Sequence, residues 1–259
     1  MARIAVTGAA GNVGRETLAA FEETAHEVTP ITHRERDLDS VVLEVEDRAA
    51  VADALAGHDA VIHLAGNPSP DAEWDGVLGV NVDGTYSVYE AAVEHDLDRV
   101  VFASTNHVHQ FYNVDDYESP ESLVDRPRAV SPDEPVRPDS YYAVSKVAGE
   151  ALGTHYADRH GLEVVNLRIG WLLDEAALRE KQAERESLAR YARAMWLSPR
   201  DCQHAMRRAV EADLSENPLT VNLTSDNREQ YLSLTETRRG LDYAPRDDSA
   251  GALDIPVEE

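Results

Sequence analysis

The chain has 259 residues, 42% of them hydrophobic, and 49 acidic against 24 basic side chains give it a net charge of −25. That length supports one large α/β unit with its own core, no apolar run approaches the roughly 20 residues a bilayer span needs, and so acidic a surface repels the phosphates of nucleic acid. The single Cys202 excludes an internal disulfide and a cysteine-based metal cluster.

ARIAVTG reads as a first strand. Gly8, Gly11 and Gly14 follow it at G-x-x-G-x-x-G spacing, entering a helix near Val13. Glycines here permit a tight turn and let backbone N–H groups approach a pyrophosphate at the positive end of the helix. Gly8, Gly11, Asn12, Val13 and Gly14 are therefore expected to hold a dinucleotide.

HEVTPIT is the second strand, running into His33-Arg34-Glu35-Arg36. An acid at that strand end would grip the adenosine ribose and mark NAD. Arg34 is placed instead to fork onto a 2′-phosphate, favouring NADP. A slip in register makes Glu35 the ribose ligand and reverses the preference, and a surface salt bridge remains the plain alternative. VVLEV, with Glu44 and Val45, is the third strand, followed by a helix near Asp47. HDAVIHLAG is the fourth, presenting Leu64, Ala65 and Gly66 at its end, and helices begin near Ala72 and Asn81. RVVFAST, the fifth, brings Ser104 and Thr105 to the edge where open α/β sheets present ligands, with Asn106 and His107 next. This alternation predicts an α/β fold with a Rossmann-like, doubly wound parallel sheet.

A loop rich in Pro, Asp and Glu spans Tyr112 to Asp139 and is expected to be solvent-exposed. The helix opening SYYAVSKVAGE follows, and EVVNLRIG is a sixth strand carrying Arg168 and Ile169. Beyond Trp171 come a charged helix over Ala176–Met195, a helix over Pro199–Ala212, a strand over Leu219–Leu223 and a short helix ending at GLDYAP. The expected division is a dinucleotide-binding domain over residues 1–170 and a smaller, mostly helical substrate-binding region over residues 171–259. The terminal Glu258-Glu259 is expected to fray.

On a helix, residues four apart share a face, so Tyr142 lies beside Lys146 and Tyr141 beside Ser145. Tyr141 is expected in the core. Lys146 is one of two lysines in a chain with 10 tyrosines. Chance gives such a Y-x-x-x-K pair only about 0.08 times, which lends the match weight. A free phenol titrates near pH 10, so a base acting near neutrality needs its phenolate favoured by about three units, roughly 4 kcal/mol. A nearby ammonium and a cationic nicotinamide supply charge of the right sign.

Together, G-x-x-G-x-x-G after strand one, HLAG at strand four, FASTNH at strand five and YYAVSK on the next helix resemble the extended short-chain dehydrogenase/reductase family across nearly the whole chain. STNH, RPDSYYAVSK, NLRIG, MWLSPRD and TSDN look most like uronate dehydrogenases and related haloarchaeal sugar and sugar-phosphate dehydrogenases. The resemblance implies Tyr142 as base, Lys146 as ribose anchor and pKa depressor, and Thr105 as hydroxyl partner. It also implies Glu44 near the adenine, Asn81 and Ile169 among the cofactor contacts, Ser69 near the substrate, and a homodimer packed through the helices after strands four and five. Two features depart from the family pattern: threonine stands where serine is commoner, and the acid expected after strand two is missing.

Uronates and sugar phosphates are anions, so a protein this acidic needs local cations to bind them. Arg168, with Arg190 or Arg193, is the expected set, and Asn106 and His107 are placed to bond sugar hydroxyls. No metal-ligand spacing stands out, since His107 and His109 have no third ligand beside them. The expected activity is NAD(P)-dependent oxidation of a sugar or uronic acid at its anomeric carbon to a lactone. A nucleotide-sugar epimerase or dehydratase with retained cofactor and a non-catalytic cofactor-sensing regulator are the alternatives. The acids are spread along the chain, which fits a soluble protein of a salt-rich cytoplasm, where screening within about 3 Å at 1 M makes the self-repulsion tolerable.

Overall fold

The computed structural model describes residues 1–256, so the terminal Glu258-Glu259 lies outside the described residues. The strands are β1 (Arg3–Thr7), β2 (Glu27–Thr32), β3 (Val41–Val42), β4 (Ala60–His63), β5 (Arg99–Thr105), β6 (Glu163–Ile169), β7 (Trp171–Leu172), β8 (Trp196–Leu197) and β9 (Leu219–Leu223). Seven of them form one sheet in the order β3-β2-β1-β4-β5-β6-β9, each neighbouring pair parallel, while β7 and β8 pair separately. Order reverses between β1 and β4, which opens a crevice at the C-terminal strand ends. β4 and β5 are buried along their whole length, as strands covered on both faces must be.

The helices are α1 (Asn12–Phe21), α2 (Arg48–Leu55), α3 (Trp74–Val77), α4 (Gly84–Glu94), α5 (Tyr141–His160), α6 (Glu175–Lys181), α7 (Glu186–Met195), α8 (Pro199–Glu211), α9 (Thr235–Leu241) and α10 (Ser249–Ala252). Strand alternation sends Ile4, Val6, Val101 and Leu167 to one face, where Phe21 of α1 and Met206 of α8 cover them. Ala5, Val61, Val100 and Val164 point the other way, against Val51, Tyr89 and Tyr156 of α2, α4 and α5.

Four expectations change. The helices expected near Ala72 and Asn81 are one run, α3 passing through a wide π turn over Leu78–Asp83 into α4. The helix expected over Ala176–Met195 is broken, because Arg185 adopts φ −58°, ψ 146° and redirects the chain into α7. The boundary at residue 170 does not divide the sheet: β9 pairs with β6, and Met206, Leu219 and Val221 share one core with Ile4 and Val6. The loop from Tyr112 to Asp139 is packed rather than free, with Asn113, Val114 and Val130 buried and Arg137 N donating to Val108 O at 2.8 Å. No described helix is long and apolar enough to cross a membrane.

Candidate active site

One cleft of about 1120 Å³ runs along the C-terminal strand ends, from the glycine loop to α7. At its near end Gly8 holds φ +68°, and a Cβ there would come within 2.8 Å of Ala65 N, so no other residue fits without displacing the β4 loop. Gly11 N donates to Gly8 O at 2.9 Å, and α1 starts from Gly11 with no side chain capping its first turn. Free N–H groups at a helix start facing a cleft form an anion seat, which fits a dinucleotide pyrophosphate. Asn12, Val13 and Gly14 line the same wall, with His33, Glu44, Val45, Leu64, Ala65, Gly66 and Ile169 around them. Two expected cofactor contacts fall elsewhere. Arg34 does not line the cleft; His33 and Arg36 do. Asn81 is fully buried behind it.

From there a buried chain of hydrogen bonds connects the two ends. Thr7 Oγ1 accepts from Leu64 N and Ala65 N, both at 3.1 Å, and so must donate its own proton to His63 Nδ1 at 2.7 Å. His63 Nε2–H then donates to Thr85 Oγ1 at 3.1 Å, and Thr85 donates to Asn81 O at 2.6 Å. This is the neutral tautomer. Burial, with the Lys146 charge adding to it, pushes the His63 pKa down to about 3. Asn81 Oδ1 accepts from Asn67 N at 2.7 Å, while its Nδ2 donates to Asn67 O at 3.1 Å and to Ser145 Oγ at 2.9 Å. Ser145 donates to Tyr142 O at 2.6 Å. The loop after β4 is thus fastened to the helix that carries Tyr142.

Helix α5 starts cleanly because Ser140 accepts from Ala143 N at 3.2 Å. It lies tight on β5: a Cβ at Gly149 would run into the Phe102 ring. Tyr142 and Lys146 are buried on the inward face and line the cleft. Tyr141 is not a core residue; it is 53% exposed, pointing outward with Trp74 against it edge-on. Lys146 Nζ sits 5.0 Å from the Phe102 ring centre and 6.0 Å from that of Tyr142. Burial lowers the Lys146 pKa to about 8. Burial raises that of Tyr142, the Thr105 hydrogen bond pulls it down, and the Asp139 charge pushes it up. Thr105 ends β5 and also accepts from His107 N at 3.2 Å.

The expected cations are not at the far end. Arg168 is buried and grips Glu150, with its remaining arm on Pro132 O at 2.8 Å. Arg190 donates to Leu123 O and Asp125 O, and Arg193 pairs with Glu229 at 2.5 Å. None of the three lines the cleft, since each has been drawn into a partner within the fold. Ser69 does not line it either; Asn67, Pro68, Pro70 and Asp71 of that loop do. Asn106 and His107 do line it, with His107 Nδ1 held by Asp139 Oδ2 at 2.7 Å.

A family model described as the NAD dependent epimerase/dehydratase family matches residues 4–221. The chain belongs to that family. Among its members, the chain is 64% identical to an L-arabinose 1-dehydrogenase (NAD(P)(+)) of Haloferax volcanii, over 98% of this chain and 100% of the relative. It is 32% identical to a uronate dehydrogenase of Pseudomonas syringae pv. tomato, over 95% and 82% of the two chains. A mutant uronate dehydrogenase from Agrobacterium tumefaciens solved with NAD superposes with a TM-score of 0.81 at 27% identity, over 100% and 92% of the chains.

The end of the cleft lined by the glycine loop follows from the glycine motif. The far end holds residues not expected there from the sequence: Gln110, Asp139, Arg185, Leu188 and Tyr191. Only Tyr191 carried a signal, standing between Arg190 and Arg193 on a helix of period 3.6 that turns both arginines away.

Proposed function

We propose that this NAD(P)-dependent sugar dehydrogenase oxidises its substrate at the anomeric carbon to the lactone, with Tyr142 as general base. The observation that carries the reading is the meeting of Tyr142, Thr105 and Lys146 in one cleft with the glycine loop. Thr105 holds the substrate hydroxyl oxygen, and Tyr142 Oη takes its proton as the C1–O bond becomes a carbonyl. The glycine loop would hold NAD(P)⁺ there, which would supply the acceptor for the hydride of C1. Lys146 holds the nicotinamide ribose, and its charge lowers the cost of the phenolate. The carbonyl formed at C1 of a ring sugar is a lactone.

Arg36, His33 and Glu44 all line the cleft, a set that admits both a ribose hydroxyl and a 2′-phosphate of the adenosine. The homodimer packs through α4 and α5, whose exposed Tyr141 and Val144 offer apolar contact. Gel filtration in molar KCl reading a monomer mass contradicts that part.

The test is a panel of aldoses and uronates with NAD⁺ and NADP⁺ in molar KCl. It is read by the near-ultraviolet absorbance of the reduced nicotinamide and by hydroxylamine capture of the lactone. Net reduction with hydroxamate formation is expected. An epimerase accumulates no reduced cofactor, and a regulator binds it without turnover.

A further inference from the structure

Helix α7 offers the cleft neither of its two arginines but Tyr191. The ring is buried and its hydroxyl closes a small ring of hydrogen bonds. Asn106 Nδ2 donates to Tyr191 Oη at 2.6 Å and to Gln110 Oε1 at 3.3 Å, and Tyr191 donates to the same Gln110 oxygen at 3.2 Å. Gln110 Nε2 is taken up by Pro120 O. Burial pushes the Tyr191 phenol well above its usual range, so the trio is neutral.

Both Nδ2 protons of Asn106 are spent inside this ring. Its Oδ1 carries no hydrogen bond among the described residues, and Asn106 lines the cleft, so the trio offers the substrate an acceptor. A sugar hydroxyl donates to that oxygen. A carboxylate brings acceptor against acceptor. The charges nearby do not help it: Arg185 is paired with Glu121, His107 with Asp139, and Asp71 adds a further acid.

We propose that Tyr191, acting with Asn106 and Gln110, is the specificity-determining residue that makes this enzyme select a neutral aldose over a sugar acid. The proposal rests on the dehydrogenase reading above and narrows its substrate class. A buried site that hydrogen-bonds a hydroxyl rejects a mismatched group strongly, and an unpaired carboxylate is costlier still, so the selection is expected to exceed about 100-fold.

The experiment measures kcat/KM for L-arabinose, D-galactose and D-galacturonate in wild type, Tyr191→Phe and Tyr191→Arg, in molar KCl, with circular dichroism melts to establish folding. Galactose and galacturonate differ only at C6, so their ratio isolates the carboxylate. Wild type is expected to turn over the better neutral sugar at least about 100 times more efficiently than the uronate. Tyr191→Phe frees an Asn106 donor and is expected to cut that preference about tenfold, mainly through KM. Tyr191→Arg is expected to erase it. A wild-type ratio near one overturns the proposal, as does an unchanged ratio in folded Tyr191→Phe. No reduction with any of the three sugars overturns the dehydrogenase reading itself, and this proposal with it.

Discussion

Arg168 grips Glu150 with two parallel hydrogen bonds, Nε to Oε1 at 2.9 Å and Nη2 to Oε2 at 2.8 Å, both side chains buried. Ser104 adds a third bond to Glu150 Oε1 at 2.5 Å, next to Thr105. A buried pair is costly to break from one side. Arg168→Ala is expected to cost about 3–5 kcal/mol in denaturant unfolding, and the double Arg168→Met, Glu150→Met variant to recover most of it. A folded Arg168→Ala of wild-type stability with a raised substrate KM contradicts this and restores the arginine to the substrate.

Asn81 is fully buried and does not line the cleft, yet its amide fixes the Asn67 backbone on both sides and reaches Ser145 of α5. Asn81→Ala leaves a part-buried N–H and C=O of Asn67 unpaired. It is expected to destabilise by about 1–3 kcal/mol and to lower kcat more than it raises the cofactor KM. Calorimetry with steady-state kinetics checks both, and a fall in cofactor affinity alone contradicts the positioning role.

Acid stability follows from His63. Its folded pKa is held at about 3, below the ordinary value of 6.5, by burial. Above pH 6.5 the histidine is neutral in both states and the native form keeps its full stability. As pH falls from 6.5 toward 3, only the unfolded chain takes up the proton, so stability drops. At pH 5 the loss is about 2 kcal/mol from this residue. His63→Gln is expected to be less stable at pH 8 but to lose less between pH 8 and 5. Parallel unfolding curves for the two proteins contradict this.

The hydrogen bond from Thr105 opposes the upward push of burial on the Tyr142 phenol, which ties the titration of the proposed base to Thr105. Thr105→Val is expected to move the acid limb of the kcat profile to higher pH and to cut kcat by roughly 10- to 100-fold, whereas Thr105→Ser restores both. An acid limb unmoved in the valine variant contradicts this.

The parts legible in the sequence are those governed by local rules. Glycine spacing, strand alternation and the four-residue step from Tyr142 to Lys146 depend on a few neighbouring residues. The sheet accordingly stands where expected, and the glycine loop, Tyr142 and Lys146 line one cleft. Arg168, Arg190 and Arg193 were misplaced because a guanidinium's partner is chosen by the fold: Glu150 lies 18 residues from Arg168, and Glu229 lies 36 from Arg193. The substrate end was hidden for the same reason. Asn106, Gln110 and Tyr191 meet across as many as 85 residues of chain. Strand β9 stands over the Leu219–Leu223 run where the sequence predicts a strand, but its pairing with β6 is a property of the closed sheet.

The most direct measurement is single-turnover oxidation by Tyr142→Phe beside isothermal titration of the dinucleotide. The phenylalanine ring keeps the buried contacts of Tyr142 and lacks only the oxygen proposed to take the proton. Turnover is expected to fall at least about 1,000-fold with dinucleotide affinity unchanged within a few-fold. Wild-type turnover in that variant, at unaltered dinucleotide affinity, would contradict the account.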